Sequence, residues 1–217
     1  MNKQFIIDKT VEFVKEKMMG EGSGHDWWHV WRVWQLAIKI GQIEKADLLI
    51  VQLGALLHDI ADWKFNDGDT KAGGKAATIW LKKIKVDNNL INKVIEIIDN
   101  SSFKGANVKE YPLTKEGKIV QDADRLDAIG AIGIGRTFAY GGSKNREMYN
   151  PEIQIKMANN FEEYKMSGQT TINHFYEKLF LLKDRMNTGT GKKIAEKRHK
   201  FMEQFLEEFY SEWKGKK

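Results

Sequence analysis

No cysteine occurs among the 217 residues, which removes disulfides, thiolate-ligated metals, iron–sulfur clusters and a thiol nucleophile from consideration. Proline is almost as scarce, with only Pro112 and Pro151. Because proline breaks helices and no segment sustains an alternation of Val, Ile or Thr, an all-α fold is expected. Long hydrophobic runs are also missing. The most apolar stretch, Leu48–Leu57, is interrupted by Gln52 and Gly54 and falls well short of the ~20 residues that a membrane helix needs. The opening segment MNKQFIIDKTVEFVKEKMMG mixes charge with apolar residues at helical spacing and has no signal-peptide core, so a cytoplasmic protein without a membrane partner is expected. Neither sign of charge dominates. The 35 Lys+Arg and 30 Asp+Glu are interspersed and leave a net charge of +5, which permits nucleic-acid binding without indicating it.

What remains is an ordinary globular balance, 41% hydrophobic and 30% charged, in a chain long enough to bury roughly 70% of its unfolded surface. Helical periodicity predicts helices over 4–18, 26–41, 45–61, 71–85, 88–99, 115–128, 130–139, 151–166, 171–186 and 191–214. Asn150 followed by Pro151 reads as a helix start. No repeat or linker interrupts the series, so a single helical domain over 1–217 is expected, with its functional core at about 22–140 and C-terminal helices at about 150–214 packed on it.

Three segments concentrate chemistry: His25-Asp26-Trp27-Trp28-His29, His58-Asp59-Ile60-Ala61-Asp62, and Gln121-Asp122-Ala123-Asp124-Arg125-Leu126-Asp127. His58 and Asp59 end LLIVQLGALL, a helix apolar enough to be buried on most faces. A carboxylate there is costly unless it is hydrogen-bonded, paired or bound to a metal. A capping Asp59 beside a His58 bonded to a backbone carbonyl would also satisfy that cost. Asp124 likewise adjoins apolar segments, and His29 opens an amphipathic helix whose core side carries Val30, Val33, Leu36, Ala37 and Ile40. Two imidazoles and two carboxylates from three helices make a mixed nitrogen/oxygen set suited to Mn, Fe, Co, Ni, Zn or Mg. An octahedral ion so held keeps two positions for water and a substrate oxygen.

The ordered set His29…His58-Asp59…Asp124 resembles the H…HD…D signature of the HD-domain metal-dependent phosphohydrolases. GHDWWHVWRV, HDIADWKF, VQDADRLDAIGAIGIGRTFAYGG and the helix begun by MNTGTGKKIA extend the likeness over nearly the whole chain, to the YpgQ-like bacterial subgroup. The resemblance implies an all-α fold, a divalent metal held by His29, His58, Asp59 and Asp124, and hydrolysis of nucleotide phosphate bonds. For the subgroup it implies cleavage of a nucleoside triphosphate to the monophosphate and pyrophosphate. Action on monophosphates, cyclic nucleotides or alarmones, and a non-catalytic metal- or nucleotide-binding role, remain alternatives.

Around that set, Asp62 follows His58 by four and Asp59 by three, the spacing of one helical face, and could take a proton from the attacking water. His25 could protonate a leaving group or contact phosphate, while Asp26 reads as a helix cap. Asp127 could orient a ligand imidazole, Asp122 reads as structural, and Arg125 as paired to a core acid. Lys64, Lys71, Lys104, Arg136, Lys144 and Arg146 are candidate phosphate-binding cations, and Tyr140–Lys144 a candidate amide cradle. Gly189-Thr190-Gly191-Lys192 lacks the glycine spacing of a phosphate-binding P-loop. Trp63 is a candidate for base stacking, whereas Trp27, Trp28, Trp31 and Trp34 follow helical spacing and are assigned mostly to core packing. His174 and His199 are read as ordinary, without acidic neighbours at ligand spacing. The C-terminal helix, with Phe201, Phe205, Leu206 and Phe209, packs on the domain or supplies a homodimer face.

Overall fold

The computed structural model describes residues 2–20, 26–61, 71–101, 112–156 and 170–216. Among them are nine α-helices and no strand: α1 (Lys3–Met18), α2 (Trp27–Ile43), α3 (Leu48–Leu57), α4 (Ala72–Lys83), α5 (Asn88–Ser101), α6 (Lys115–Asp127), α7 (Gly130–Ser143), α8 (Asn173–Glu177) and α9 (Gly189–Trp213), with a 3₁₀ helix at Leu179–Arg185. Local chemistry starts several of them. Asn2, Asp26, Asp47 and Thr188 each accept a backbone N–H of the first turn they precede, which satisfies donors a helix leaves orphaned.

The chain divides into two compact units, the boundary falling inside α6 between Asp124 and Arg125. The first unit contains α1–α5 and α6 as far as Asp124. Its centre is α3, which packs against α1, α2 and α5 and buries Val51, Leu53, Ala55, Leu56 and Leu57 completely. A helix apolar on every face can only sit in such a position. Gly54 permits the close approach of two neighbours, since a Cβ there would lie 3.2 Å from Ile97 on α5 and 3.3 Å from Val120 on α6. The polar interruption at Gln52 is satisfied by the Trp34 indole N–H of α2 at 3.1 Å.

The second unit begins at Arg125 and holds the last turn of α6, α7, α8, the 3₁₀ helix and α9. Its core is aromatic: fully buried Phe175 stacks on Phe205 of α9 at 5.9 Å and meets Phe138 of α7 edge-on at 6.4 Å.

Three expected helices differ. α3 stops at Leu57 instead of running to 61. His58 is its C-cap, and Ile60 N–H bonds Leu57 O at 3.2 Å in a tight turn. Pro151–Lys156 is turn and irregular chain, and the rest of the helix expected over 151–166 lies outside the described residues. Asn150 does accept the Glu152 N–H at 3.0 Å, but this makes an Asx turn, and the following Ile153-Gln154-Ile155 alternates with period two. The helix expected over 171–186 breaks at Lys178, whose φ of −138° is not helical. The break lets Phe175 and Phe180 touch edge to face at 6.3 Å, a contact between residues five apart that a continuous helix would not make.

Candidate metal centre

Each residue of the HD-like set is placed by local structure. Asp26 caps α2 by accepting the backbone N–H of His29 itself at 2.9 Å, so the cap fixes the first turn where the imidazole departs. Val30, Val33, Ala37 and Ile40 on the same helix are fully buried, which turns His29 inward. Where α3 ends, His58 Nδ1 lies 2.8 Å from Ala55 O. A carbonyl can only accept, so Nδ1 carries the proton and Nε2 presents its lone pair in the neutral ring. Asp124 comes from α6, which is anchored at its start by Thr114 Oγ1 on Gly117 N–H and by Glu116, whose carboxylate accepts the Asp47 N–H.

These side chains converge. His29 Nε2 lies 3.3 Å from His58 Nε2, 3.3 Å from Asp59 Oδ2 and 3.5 Å from Asp124 Oδ1. His58 Nε2 lies 3.6 Å from Asp59 Oδ2 and 3.8 Å from Asp124 Oδ1. His29, His58 and Asp59 form the tighter group, with their ligand atoms all within 4.8 Å of one another. Such spacings exceed the 2.7–3.2 Å of ordinary N–H···O bonds. They match donors around a shared ion: at about 2.1 Å from its centre, donors at 90–110° stand roughly 3.0–3.5 Å apart, and farther at wider angles. The donor set therefore fits a divalent cation, whose charge two nearby carboxylates would offset. Side-chain exposure rises from 1% at His29 and 4% at His58 to 15% at Asp59 and 34% at Asp124. The imidazole side is sealed by core, and the carboxylate side opens to solvent.

A protein-family model for the HD domain matches residues 27–129, which include all four convergent side chains. YpgQ of Bacillus subtilis is 41% identical over 214 residues, covering 94% of this chain and 91% of its own. The chain belongs to the HD-domain family. Within that family it is similar to the YpgQ subgroup. The crystal structure of B. subtilis YpgQ in complex with ADP superposes with a TM-score of 0.78 at 35% identity, covering 98% of this chain and 97% of that one. An HD-superfamily hydrolase from Bacillus thuringiensis gives 0.76 at 43% identity, covering 98% and 99%. A Lactobacillus plantarum protein gives 0.87 at 34% identity, covering 99% and 100%. The all-α HD hydrolase fold follows from these likenesses and from the helices above. No helix among the described residues is long and apolar enough to cross a membrane.

The surrounding candidates fare unevenly. His25, Asp62, Trp63, Lys64 and Lys104 lie outside the described residues. The helical-face argument for Asp62 does not hold, because α3 ends five residues earlier, at Leu57. Lys71 is exposed immediately before α4. Arg136 donates to Asp127 at 2.8 Å, which gives Asp127 a guanidinium partner that sequence spacing did not indicate. Arg125 donates to the carbonyl of Arg185. Tyr140–Ser143 is the C-terminal turn of α7, and the Lys144 amide bonds Tyr140 O and Gly141 O. That end presents carbonyls, so the amide cradle is ruled out; the Lys144 ammonium and Arg146 guanidinium instead lie over the Tyr140 ring at 5.8 and 5.5 Å.

Asp122 is fully buried. Trp27 is core at 4% exposure, but Trp28 and Trp31 are 54% and 41% exposed and meet edge to face. His174 and His199 do have acidic neighbours at helical spacing: Glu177 at 3.9 Å and Glu203 at 3.3 Å.

Proposed function

We propose that this chain is a divalent-metal-dependent phosphohydrolase that cleaves nucleoside or deoxynucleoside triphosphates to the monophosphate and pyrophosphate. The convergence of His29, His58, Asp59 and Asp124 at 3.3–3.8 Å supports this reading. So does the likeness to a YpgQ structure determined with ADP. His29, His58, Asp59 and Asp124 would hold the cation, drawn from Mn, Co, Ni, Fe, Zn or Mg. When bound, the ion supplies Lewis acidity and lowers the pKa of a coordinated water from 15.7 to about 7.

The protein's own residues do the rest. The Ala55 carbonyl keeps the His58 proton on Nδ1 and so keeps Nε2 available. The buried imidazole side excludes water, while the open side at Asp59 and Asp124 admits a triphosphate. Asp62 accepts a proton from the water attacking the α-phosphorus. The bond from that phosphorus to the bridging oxygen breaks, the oxygen leaves with pyrophosphate, and His25 hydrogen-bonds or protonates it. Lys64, Lys71, Lys104 and Lys144 are the candidate countercharges, with Arg136 available only while it also serves Asp127, and Trp63 is the candidate base contact.

The test is hydrolysis of a nucleotide panel with Mn²⁺, Co²⁺, Ni²⁺ or Mg²⁺, measuring pyrophosphate and orthophosphate separately. Pyrophosphate in equal amount to the monophosphate, lost in Asp59→Ala, is expected. Orthophosphate alone, or full activity in Asp59→Ala, contradicts the proposal.

A further inference from the structure

Asp124 is the fourth residue from the end of its helix, three positions before α6 ends at Asp127. Helix ends fray, and their last carbonyls lack the usual i+4 partner; here tighter i+3 bonds run from Ala128 N–H to Arg125 O and from Ile129 N–H to Leu126 O, both at 3.2 Å. A ligand so close to an end needs that turn held. The turn is surrounded by guanidinium groups. Arg198 of α9 donates to the Leu126 carbonyl, Arg125 donates to the Arg185 carbonyl, and Arg136 of α7 binds Asp127 at 2.8 Å. A cation at a helix C-terminus also opposes the negative end of its dipole.

Arg198 is half-buried. Burial pushes its guanidinium below the ordinary arginine range, and Asp127 acts in the opposite sense, which places the Asp127 carboxylate within its electrostatic reach. Backbone chemistry makes room for the same side chain. Gly130 has φ +78°, and a Cβ there would lie 2.9 Å from Arg198 Cγ and 3.1 Å from its Cβ. Those atoms form the stem of the arginine, not its mobile tip, so no larger residue fits without displacing it. Asp127 itself is 1% exposed and Arg125 3%, beside fully buried Ala123 and Leu126, so the turn is closed in by charge and hydrogen bonds as well as apolar packing.

We infer that Arg198 is a positioning residue for the metal centre: its bond to Leu126 O fixes the final turn of α6 and thereby the carboxylate of Asp124. The inference rests on the metal-site reading of His29, His58, Asp59 and Asp124. Arg198 reaches Asp124 through the helix, by way of the Leu126 carbonyl. Gly130 serves it by leaving the stem a path. Loss of a partner bonded directly to a ligand commonly weakens metal affinity about 10–100-fold; Arg198 stands one step further out, so a loss at the low end, about tenfold, is expected here.

The experiment uses the full chain with Mn²⁺ as the probe. It compares wild type, Arg198→Ala, Arg198→Lys, Gly130→Ala and Leu206→Ala. Leu206 is a buried residue of the same helix α9, so its truncation loosens the second unit while leaving the guanidinium in place. Titration calorimetry gives Mn²⁺ affinity, and hydrogen exchange of the metal-free chain reports protection of amides 124–127. Arg198→Ala and Gly130→Ala are expected to weaken Mn²⁺ binding by about tenfold and to speed exchange at 124–127, with partial rescue by Arg198→Lys. Leu206→Ala is expected to lower the melting temperature while keeping the Mn²⁺ affinity. Unchanged affinity and exchange in Arg198→Ala overturn the inference, as does an equal loss of affinity in Leu206→Ala. Failure of the wild-type chain to bind Mn²⁺ overturns the metal-site reading itself, and the exchange result then judges the helix clamp separately.

Discussion

Replacing Asp26 tests how α2 delivers His29. The carboxylate accepts the His29 backbone N–H at 2.9 Å and stands at the positive end of a 17-residue helix. Losing an N-cap side chain costs about 0.5–2 kcal/mol, and losing a negative charge beside the dipole adds about 0.3–1 kcal/mol. Asp26→Ala should therefore cost about 1–3 kcal/mol. For a chain of this size about 1 kcal/mol shifts Tm by roughly 2–4 °C, so a fall of several degrees is expected. Asp26→Asn keeps an acceptor oxygen and loses only the charge, so most of the stability should return. The assay is thermal unfolding by circular dichroism in EDTA, which removes any contribution from bound ion, followed by Mn²⁺ titration of the same variants. The asparagine variant should bind Mn²⁺ better than the alanine one, because its cap still sets the first turn. An alanine variant that melts with wild type, or an asparagine variant as damaged as alanine, would show that the cap does not hold this helix end.

Leu53→Ala, at a fully buried site of α3, should lower stability by about 2–5 kcal/mol in urea unfolding; a loss near zero would contradict the central place of α3. Gly133→Ala would bring a Cβ to 2.3 Å from the Ala128 carbonyl oxygen. Backbone crowding should outweigh the ~1 kcal/mol gain in helix propensity, so a lower Tm is expected, and a rise would refute the geometry. Burial holds the His174 imidazole below its ordinary value of 6.5, with Lys178 and Arg146 acting the same way and Glu177 opposing. Above pH 6.5 both states are neutral there, whereas below it the unfolded chain takes up a proton that the native one resists, so stability falls with falling pH by up to about 1.4 kcal/mol per unit. Urea midpoints between pH 7.5 and 5 should decline less steeply in His174→Gln; an identical slope would rule out this contribution.

The sequence made the candidate ligands legible because each lies in a short cluster flanked by apolar helix-formers, and because the Asp26 cap is a local signal. Helix ends were less legible where no glycine or proline marks them. LLIVQLGALLHDIADW keeps its apolar spacing past Leu57, yet the chain turns at His58. At Asn150-Pro151 the start signal is real, but the same dipeptide makes an Asx turn when alternating residues follow. Helical spacing alone could not tell which tryptophans of α2 face the core: Trp27 does, while Trp28 and Trp31 face solvent. Glu177 and Glu203 were readable at i+3 and i+4 from their histidines. Arg198 was not, since its acceptor is a backbone carbonyl 72 residues away, and a carbonyl leaves no mark in the sequence.

The most direct test of the metal centre is anomalous diffraction at the manganese edge from crystals grown with Mn²⁺. One strong peak bonded by His29 Nε2, His58 Nε2, Asp59 and Asp124 is the predicted result. Manganese bound elsewhere, or imidazoles that point apart around an empty centre at saturating Mn²⁺, would contradict it.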